Sequence, residues 1–380
     1  MEYVKLGNYC TITSSKRIFA HQYVAKGIPF YRSKEIIEKN NKEEISDPLF
    51  ISEDVFKEIS NKYGAPKEGD ILLTSVGTLG IPYFVKNETF YFKDGNLTWL
   101  KDFSNRIFSR YIYYWLSSSF GKASLLQKAI GSSQPAITIE ILKRYKIGLP
   151  EISIQRRIAS ILSTYDNLID NNNKRIRLLE QMAENLYKEW FVRFRFPGHE
   201  KAEFENGLPM GWKVMKLDKI LTVRYGKDHS KIEDGDIPIL GSGGIMRFGN
   251  KELYASESVL IPRKGSLNNI MYIDEPFWTV DTMFFTEMKY KNIAKYVYYV
   301  LSGIDMESFN SGAALPSMTT NILNHFKVIL PSEDVLALFD EKVELLFLQK
   351  KKLIQQNTLL SRQRDLLLPR LMSGKLEVKL

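Results

Sequence analysis

The chain contains little cysteine and little histidine. Its 380 residues include one cysteine, Cys10, and four histidines. A lone cysteine excludes an internal disulfide and any metal site built from a cysteine cluster. The histidines lie far apart, without metal-ligand spacing, and we interpret them as surface or capping residues: His21, His199, His229 and His325. The sequence therefore predicts no metal site in this chain.

Long apolar runs are also missing. No stretch approaches the roughly 18 uninterrupted apolar residues that a membrane-spanning helix requires. The first ten residues lack the charged and then apolar pattern of a secretory signal. We therefore expect no membrane association and a cytoplasmic location.

No catalytic motif is recognisable. The glycine-rich run Gly241–Met246 lacks the third glycine of a dinucleotide-binding fingerprint. The run Arg263–Ser266 lacks the upstream glycine and the Gly-Lys order of a Walker phosphate loop. The Asn-Pro-Pro-Tyr or Asp-Pro-Pro-Tyr motif of aminomethyltransferases is absent. We interpret the chain as non-catalytic and expect it to bind no cofactor of its own.

Positive charge, by contrast, is in excess. The net charge is +9, which favours an acidic partner, with nucleic acid foremost. The apolar content of 44% and the aromatic content of 12% argue against disorder. The length suits two or three domains.

A heptad pattern occurs twice in the sequence. Phe339 lies 181 positions after Ile158, and Leu367 lies 181 positions after Leu186. Alternating steps of three and four keep one stripe of a helix facing a partner helix. The predicted apolar seam comprises Ile158, Leu162, Tyr165, Ile169, Ile176, Leu179 and Leu186 in the first copy, and Phe339, Val343, Leu346, Leu353, Leu360 and Leu367 in the second.

Four polar residues also fall on seam positions: Asn172, Lys350, Asn357 and Arg364. Polar seam residues lower stability but can fix the register of a helix pair. They could also lie near the ends of a splayed pair. A second interpretation is that each helix packs on its own domain and not on the other helix.

The repeat extends beyond the helices. Residues 70–74 and 258–261 predict buried strands, residues 111–116 and 296–301 predict helices, and residues 147–150 and 328–331 predict closing strands. The offset between matching segments falls from 211 to 181 along the chain. This steady change indicates insertions and deletions within one shared α+β fold.

The predicted order has four parts. A first domain spans residues 1–150 and a central helix spans 151–198. A second domain spans 199–331, and a C-terminal helix with its tail spans 332–380. Ser332, Glu333 and Asp334 suit the N-terminus of the last helix, and Pro369 is expected to limit it.

The simplest arrangement is a pseudo-twofold one. The two helices form an antiparallel coiled coil and bury their stripes against each other, with one similar globular domain at each end. A run of about 36 residues at roughly 1.5 Å per residue gives a rod on the order of 50 Å. This length is about one and a half turns of duplex DNA.

Several segments resemble the DNA-specificity subunit of type I restriction–modification enzymes, and the match covers essentially the full length. They are Leu149-Pro150 with Gln155–Ala159, Leu186–Phe191 with Phe196–Gly198, Leu208–Trp212, and the tail Leu366–Leu376. There are two departures: Leu336 stands where Gln155 stands in the first copy, and no Pro-x-Gly-Trp run precedes the first domain. These departures bear on how equivalent the two halves are.

The resemblance implies a role and partners. Each globular half would be a target-recognition domain that reads one part of a split DNA site. The helices would set the spacer and dock two methyltransferase subunits, which bind S-adenosylmethionine and methylate adenine at N6. A separate restriction and translocase subunit would use ATP and Mg. This chain would have no active site.

Side chains for DNA recognition should be cationic or small and polar, and should lie in loops. The first-domain candidates are Lys16, Arg17, Arg32, Lys34, Ser75, Thr78, Ser132, Ser133 and Gln134. The second-domain candidates are Arg224, Tyr225, Lys227, Ser242, Arg247, Arg263, Lys264, Ser266 and Asn268. Arg263 and Lys264 replace Ser75-Val76 in the repeat, as expected for two halves that read different sequences.

The sequence leaves two other classes of function open. A coiled-coil interaction scaffold with incidental basic charge would bind DNA undetectably or without salt dependence, whereas a DNA-recognition subunit would lose affinity steeply with salt. A stand-alone DNA-modifying enzyme is disfavoured by the missing motifs, and methyl transfer by the purified chain alone would revive it.

Overall fold

The chain divides into two units in the computed structural model, which describes residues 2–42, 45–131, 135–309 and 317–378. Unit 1 comprises Met1–Asn171 and Gln356–Leu380, and unit 2 comprises Asn172–Gln355. Each unit therefore contains one globular domain and a segment from each of two long helices. No described helix is long and apolar enough to cross a membrane.

The domain of unit 1 contains ten described strands and five helices. The strands are β1 Glu2–Lys5, β2 Thr11–Thr13, β3 Tyr23–Val24, β4 Ile28–Tyr31, β5 Leu49–Ile51, β6 Ile71–Thr74, β7 Pro82–Phe84, β8 Tyr91–Phe92, β9 Leu97–Lys101 and β10 Lys146–Leu149. The helices are α1 Ser33–Asn40, α2 Glu53–Tyr63, α3 Ser109–Ser117, α4 Ser119–Leu126 and α5 Ile139–Arg144. The first long helix, α6, follows at Ile152–Tyr187.

The domain of unit 2 contains eleven described strands and three short helices. The strands are β11 Phe204–Glu205, β12 Leu208–Pro209, β13 Lys213–Lys216, β14 Leu221–Tyr225, β15 Asp234–Gly241, β16 Gly244–Gly249, β17 Ser258–Pro262, β18 Met271–Ile273, β19 Trp278–Thr279, β20 Met283–Met288 and β21 Lys327–Leu330. The helices are α7 Leu217–Ile220, α8 Ala294–Ser302 and α9 Thr320–Asn324, and the second long helix, α10, spans Glu333–Met372.

Both domains share the topology of their main sheet, which confirms the predicted α+β class and the duplication. Unit 1 has a four-stranded sheet in the order β2-β9-β6-β7, and unit 2 has one in the order β14-β20-β17-β18. Each domain also contains one parallel pair, β4 with β8 and β15 with β19. An antiparallel pair joins the first strand to the last, β1 with β10 and β13 with β21.

The repeat extends to single hydrogen bonds. The Thr138 side chain accepts a bond from the Ile141 N–H at the start of α5, and the Thr319 side chain accepts one from the Ile322 N–H at the start of α9. A threonine before a helix satisfies a donor that the first turn leaves free. The same cap 181 positions apart shows that the sequence alignment of the two copies is also the structural one.

The domains differ between β4 and β6. Unit 1 places α1, β5 and α2 there, whereas unit 2 extends β15 and adds the hairpin strand β16. These additions account for the largest change in the repeat offset. The shared four-stranded sheet is unchanged because its residues are buried: Leu72 in β6 and Leu260 in β17 are both fully inaccessible.

Within each unit the segments of α6 and α10 run antiparallel. In unit 1, Ile158 belongs to the same core as Leu371, and Asp166 binds Arg364 with Oδ1 2.7 Å from Nη1. Residue numbers that increase along α6 are matched by residue numbers that decrease along α10, so the two helices run in opposite directions. In unit 2, Glu180 binds Lys350 at 2.6 Å, and the Trp190 and Phe339 rings are 6.0 Å apart.

The predicted seam residues are buried or half-buried without exception. Ile158, Leu162, Ile169, Phe339, Val343 and Leu353 are buried, and Tyr165, Ile176, Leu179, Leu186, Leu346, Leu360 and Leu367 are half-buried. Two polar seam residues, Lys350 and Arg364, form the ion pairs described above, so each offsets the cost of its position with a carboxylate on α6. Asn172 is buried as well.

The prediction that Pro369 limits the second helix is wrong. The helix continues to Met372, with Pro369 inside its last turn. Proline costs a hydrogen bond and crowds the preceding turn. However, Leu371 and Met372 are buried in the core of unit 1, and the Ser373 N–H continues the pattern by binding the Pro369 carbonyl at 3.1 Å. Packing of the final turn therefore outweighs the proline.

In unit 2, a buried lysine connects the domain to its long helix. The Lys295 ammonium, 1% exposed, lies 3.0 Å from Glu257, 2.9 Å from Asp340 and 3.0 Å from Glu344. Burial alone would lower the pKa of Lys295, but hydrogen bonds to these carboxylates raise it above its usual value. The equivalents of Asp340 and Glu344 in the first copy are Ala159 and Ser163, so this ionic connection is specific to unit 2.

We expect Lys295→Met to destabilise the chain. The substitution keeps a long apolar stem but leaves the carboxylates without their cation. The free energy of unfolding in urea should fall by about 3 kcal/mol, the low end of the roughly 3–5 kcal/mol for breaking a buried ion pair, because the carboxylates keep some contact with water. Lys291→Met, at an exposed position of the same unit, is the control. Equal losses in both variants would contradict the assigned role.

Candidate nucleic-acid interface

In unit 2, loops from four strands meet at one surface. Arg263 and Lys264 follow β17, and both backbone N–H groups donate to the Thr282 carbonyl, at 2.8 and 3.2 Å. Arg263 Nη1 donates to the Asp281 carbonyl at 3.3 Å, and its guanidinium lies 5.4 Å from the centre of the Tyr225 ring. The loop backbone is thus held rigidly while the cationic groups stay at the surface.

The glycine-rich turn after β15 completes this surface. Asn269 Nδ2 donates to the Ser242 carbonyl at 2.7 Å. Gly265 has a φ of 85°, and a Cβ at this position would lie 2.9 Å from Ser242 Oγ. Glycine is required here both for the backbone conformation and for the close approach of the two loops.

Lys227 borders the same surface. Its N–H donates to the Thr279 carbonyl at 2.9 Å, and its own carbonyl accepts a bond from Trp278 Nε1 at 2.9 Å. The backbone is therefore fixed, and the lysine side chain is exposed. We call the following set the cationic loop surface: Tyr225, Lys227, Ser242, Arg263, Lys264 and Asn269. Asn269 was missed by the sequence reasoning, although it adjoins the candidate Asn268.

Three second-domain candidates have other partners in the structure. Arg247 Nη2 donates to the carbonyls of His229 at 2.7 Å and Ile232 at 2.8 Å, so it holds its own loop. Asn268 Nδ2 donates to Asp305, and Asn268 Oδ1 accepts the Met306 N–H at 2.7 Å. Arg224 binds Glu287 at 3.0 Å. Ser266 is exposed in the same turn as Gly265.

Two first-domain candidates, Ser75 and Arg32, have partners within their own domain. Ser75 is 4% exposed, and its hydroxyl contacts the Leu73 carbonyl at 3.1 Å and Thr98 Oγ1 at 2.6 Å. Arg32 forms ion pairs with Glu35 at 2.5 Å and Asp47 at 2.9 Å. Ser75 binds partners in the domain interior, and Arg32 binds Glu35 at the start of α1. The sequence alone did not reveal these partners, because the same residue types also suit contacts to DNA.

The remaining first-domain candidates are exposed: Lys16, Arg17, Lys34 and Thr78. Lys16 lies 4.8 Å from the centre of the Tyr63 ring, and Arg17 binds Asp94 at 3.0 Å. Lys34 lies 4.0 Å from Glu38. The candidates Ser132, Ser133 and Gln134 lie outside the described residues.

Phe19 in unit 1 was missed by the sequence reasoning. It is 55% exposed, and its ring stacks on His21 at 5.9 Å, two residues beyond Arg17. An exposed aromatic group beside cations is a nucleic-acid signal. The run from Lys16 to His21 contained that signal, since it interleaves basic and aromatic residues.

The two domains present different side chains at one shared backbone position. In unit 1 the Ile137 N–H donates to the Ser75 carbonyl at 3.0 Å, and in unit 2 the Met318 N–H donates to the Arg263 carbonyl at 2.9 Å. The next residues form equivalent bridges, Val76 with Ala136 and Lys264 with Ser317. A buried serine and a valine thus correspond to a half-buried arginine and an exposed lysine.

The described part of the chain shows no candidate metal site at these surfaces. Among the described residues, no group of three or more His, Cys, Asp or Glu side chains could hold a metal ion. Burial raises the pKa of the Cys10 thiol to about 12, so it stays protonated near neutral pH.

Comparison with known proteins gives a consistent result. The family model described as the type I restriction modification DNA specificity domain matches residues 1–181 and 209–361. The chain is 28% identical over 369 residues to the type I restriction enzyme MjaIX specificity subunit of Methanocaldococcus jannaschii, covering 87% of this chain and 82% of that protein. It is 20% identical to the HindI specificity subunit of Haemophilus influenzae, covering 84% and 90%.

A solved structure supports the fold. The type I restriction–modification S subunit from M. genitalium superposes with a TM-score of 0.62 at 16% identity, covering 100% of this chain and 96% of that one. At this identity the likeness concerns the fold alone, and it agrees with the two-domain α+β arrangement predicted from the repeat.

We expect the double variant Arg263→Ala/Lys264→Ala to bind DNA more weakly and with less salt dependence. Each lost phosphate contact should reduce the slope of log affinity against log salt by roughly 0.9, so the pair should reduce it by about 2. Duplex binding at several salt concentrations measures this. Lys213→Ala/Lys216→Ala, at exposed positions of β13, is the charge-matched control. An equal change of the slope in both variants would exclude the cationic loop surface as the DNA-binding site.

Proposed function

The chain belongs to the type I restriction modification DNA specificity family, and we propose how its parts divide the work of that function. It is the specificity subunit of a type I restriction–modification system, with two target-recognition domains. We propose residues 1–150 as target-recognition domain 1 and residues 199–331 as target-recognition domain 2. Each reads one half of a bipartite DNA site.

A single observation carries this assignment. The two domains share their strands, caps and bridging hydrogen bonds, yet the position held by Ser75 and Val76 in one is held by Arg263 and Lys264 in the other. A shared framework that carries different side chains at one position is what two readers of different sequences require, because base edges are distinguished by the donors and acceptors offered to them.

The helical segments 151–198 and 332–380 set the spacer between the half-sites. Ion pairs and buried seam residues fix the antiparallel pairing within each unit, as the Asp166–Arg364 and Glu180–Lys350 contacts illustrate. Because α6 and α10 are both continuous across the boundary between the two units, their length is the natural determinant of the spacer.

Two methyltransferase subunits dock on these helices in our proposal. Each unit has a pair of exposed α10 leucines seven residues apart, Leu359 and Leu366 in unit 1 and Leu338 and Leu345 in unit 2, where Leu348 is exposed as well. Seven-residue spacing places both leucines of a pair on one helix face. One apolar helix face in each unit suits two partner subunits.

Catalysis resides in the partners. The methyltransferase subunits supply S-adenosylmethionine and transfer its methyl group to adenine. Restriction and translocase subunits supply ATP and Mg. This chain contributes DNA selection and acts in the cytoplasm, where its double-stranded DNA substrate is found.

Exchange of residues 1–150 for the corresponding domain of another specificity subunit should change one half of the methylated site. The other half should stay the same, because it is read by residues 199–331. Mapping of methylated adenines in cells that carry the hybrid and its methyltransferase measures this outcome. A change in both halves would contradict the proposal that the two domains read their half-sites independently. DNA binding that does not depend on salt would favour the coiled-coil interaction scaffold.

Lengthening both long helices should lengthen the spacer. Insertion of one heptad in each helix, after Asn171 and after Gln355, preserves the seam because seven residues are two turns of a coiled coil. The added length is about 10 Å, so the spacer should grow by at most about three base pairs at roughly 3.4 Å each. Both half-site sequences should be retained in the methylation map.

The matched control inserts seven residues into a single helix. That change breaks the pairing of the two helices and should abolish methylation. An unchanged spacer in the double-insertion variant would show that the helices do not determine its length.

A further inference from the structure

Each unit contains a pocket where the tyrosine-rich helix of its domain, α3 or α8, meets that unit's segments of α6 and α10. The cavity volume is about 220 Å³ in unit 1 and about 440 Å³ in unit 2. The lining residues correspond in the repeat, since Tyr299 lies 185 positions after Tyr114 and Asp365 lies 181 positions after Glu184. The duplication has therefore produced one such pocket in each unit.

In unit 1, an arginine of the chain itself lies in the pocket. The Arg364 guanidinium binds Asp166 at 2.7 Å and Asp365 at 2.9 Å. Asp166 also accepts a hydrogen bond of 2.5 Å from the Tyr114 hydroxyl. The planar donors of a guanidinium match the oxygens of a carboxylate. Unit 1 thus shows which group the carboxylates beside this tyrosine bind.

Unit 2 keeps the tyrosine and one carboxylate but not the guanidinium. Glu184 holds the position of Asp365, whereas Ala183 holds the position of Arg364. Among the residues that the structure describes, no arginine lines the pocket of unit 2. The chain therefore supplies a carboxylate at the equivalent place in both pockets and a guanidinium in the first pocket alone.

Tyr299 lines the unit 2 pocket with its hydroxyl unpaired. The residue is 7% exposed, and in the described part of the chain its hydroxyl has no hydrogen-bond partner, because Phe347 stands in place of the Asp166 carboxylate. The hydroxyl of so buried a tyrosine usually finds a partner. Burial raises the pKa of Tyr299, and the negative charges of Glu180 and Glu184 add to this effect. The field at the hydroxyl therefore favours a cationic group.

The two lysines of this pocket bind its carboxylates. Lys350 binds Glu180 at 2.6 Å, and Lys188 binds Glu184 at 2.5 Å. Both side chains of the Lys188–Glu184 pair are about half exposed, and ion pairs at such positions are weak. A guanidinium can displace Lys188, because it forms two hydrogen bonds to one carboxylate and also packs on an aromatic face such as the Tyr187 ring.

We propose that the unit 2 pocket binds an arginine side chain of the methyltransferase subunit that docks on this unit. The guanidinium binds Glu184, donates to the Tyr299 hydroxyl and lies against the Tyr187 ring. The inference rests on the docking proposed above and adds the residue type that the partner contributes. A second copy of the partner brings the same arginine to unit 1, where Arg364 already occupies the pocket, so docking there does not depend on it.

The experiment titrates purified methyltransferase subunits into the full chain, and native mass spectrometry gives the affinity of each binding step. The wild type should bind two subunits. Glu184→Gln removes the charge and should weaken one of the two steps at least about tenfold, because hydrogen bonds between charged groups are the strong ones. Tyr299→Phe removes only the hydroxyl and should weaken the same step about fivefold.

Unit 1 offers the matched controls. Asp365→Asn, at the position equivalent to Glu184, should leave both binding steps unchanged because Arg364 already occupies that pocket. Tyr299→Phe should not change the free energy of unfolding of the isolated chain, since its hydroxyl has no partner among the described residues. Tyr114→Phe loses a hydrogen bond within the chain, so the free energy of unfolding should fall in that variant.

Cross-linking identifies the bound residue. With p-azidophenylalanine in place of Tyr299, light should join the chain to a methyltransferase segment that contains an arginine. Replacement of that arginine by alanine should weaken binding to the wild-type chain as much as Glu184→Gln does. The two changes together should weaken binding little more than either change alone, because they remove the same contact.

Three results overturn the inference. Both binding steps keep wild-type affinity in Glu184→Gln and Tyr299→Phe, Asp365→Asn weakens binding as much as Glu184→Gln, or the cross-linked segment carries no arginine. In each case, binding of two subunits and site-specific methylation by the wild type would leave the specificity function standing. A wild-type chain that binds no methyltransferase subunit would instead contradict the docking itself, and this inference with it.

Discussion

The pairing of the two long helices is the constraint on which the rest of the structure depends. Either helix alone would expose a stripe of leucine, isoleucine and phenylalanine to water. Within each unit the stripe is covered by the other helix and by the domain, as with Phe339 against Trp190 and Phe191. Apolar burial is non-directional, so register needs polar contacts, and Arg364 and Lys350 provide them by binding Asp166 and Glu180. Each domain packs on a helix pair whose register these contacts fix.

The two domains show how a duplicated fold can keep its framework and change its surface. Buried residues at the ends of strands are restricted in both copies because any change in volume disturbs a close-packed interior. Loop residues at the same places are free to differ. Ser75 faces inward and binds Thr98, whereas Arg263 remains at the surface beside Tyr225. The copies also differ where the domain meets its long helix. Lys295 binds Asp340 and Glu344 in unit 2, and the first copy has Ala159 and Ser163 in place of these carboxylates.

Much of the fold was predictable from the sequence, and less of the site. The strands at residues 71–74 and 258–262, the two tyrosine-rich helices and the closing strands follow from local periodicity and turn residues, and they were predicted correctly. The prediction that Pro369 limits the last helix was wrong, because burial of the final turn outweighed the helix-breaking preference of proline. Ser75 and Arg32 were chosen for their side-chain chemistry, but a hydroxyl or a guanidinium binds an internal partner as readily as a phosphate. Asn269 and Phe19 were missed because nothing local shows which surface they share.

The sequence by itself determined the duplication, the helix pair, the α+β class and the absence of recognisable catalytic motifs, because these depend on periodicity, spacing and residue type. Only the tertiary structure decided which polar residues remain available at the surface. It brought together Tyr225 at the end of β14, Ser242 in the turn after β15, and Arg263 and Asn269 in the loop between β17 and β18. The physical reason is that a side chain's partners are set by long-range packing of strands, and hydrogen bonds over such distances leave no periodic trace in the chain.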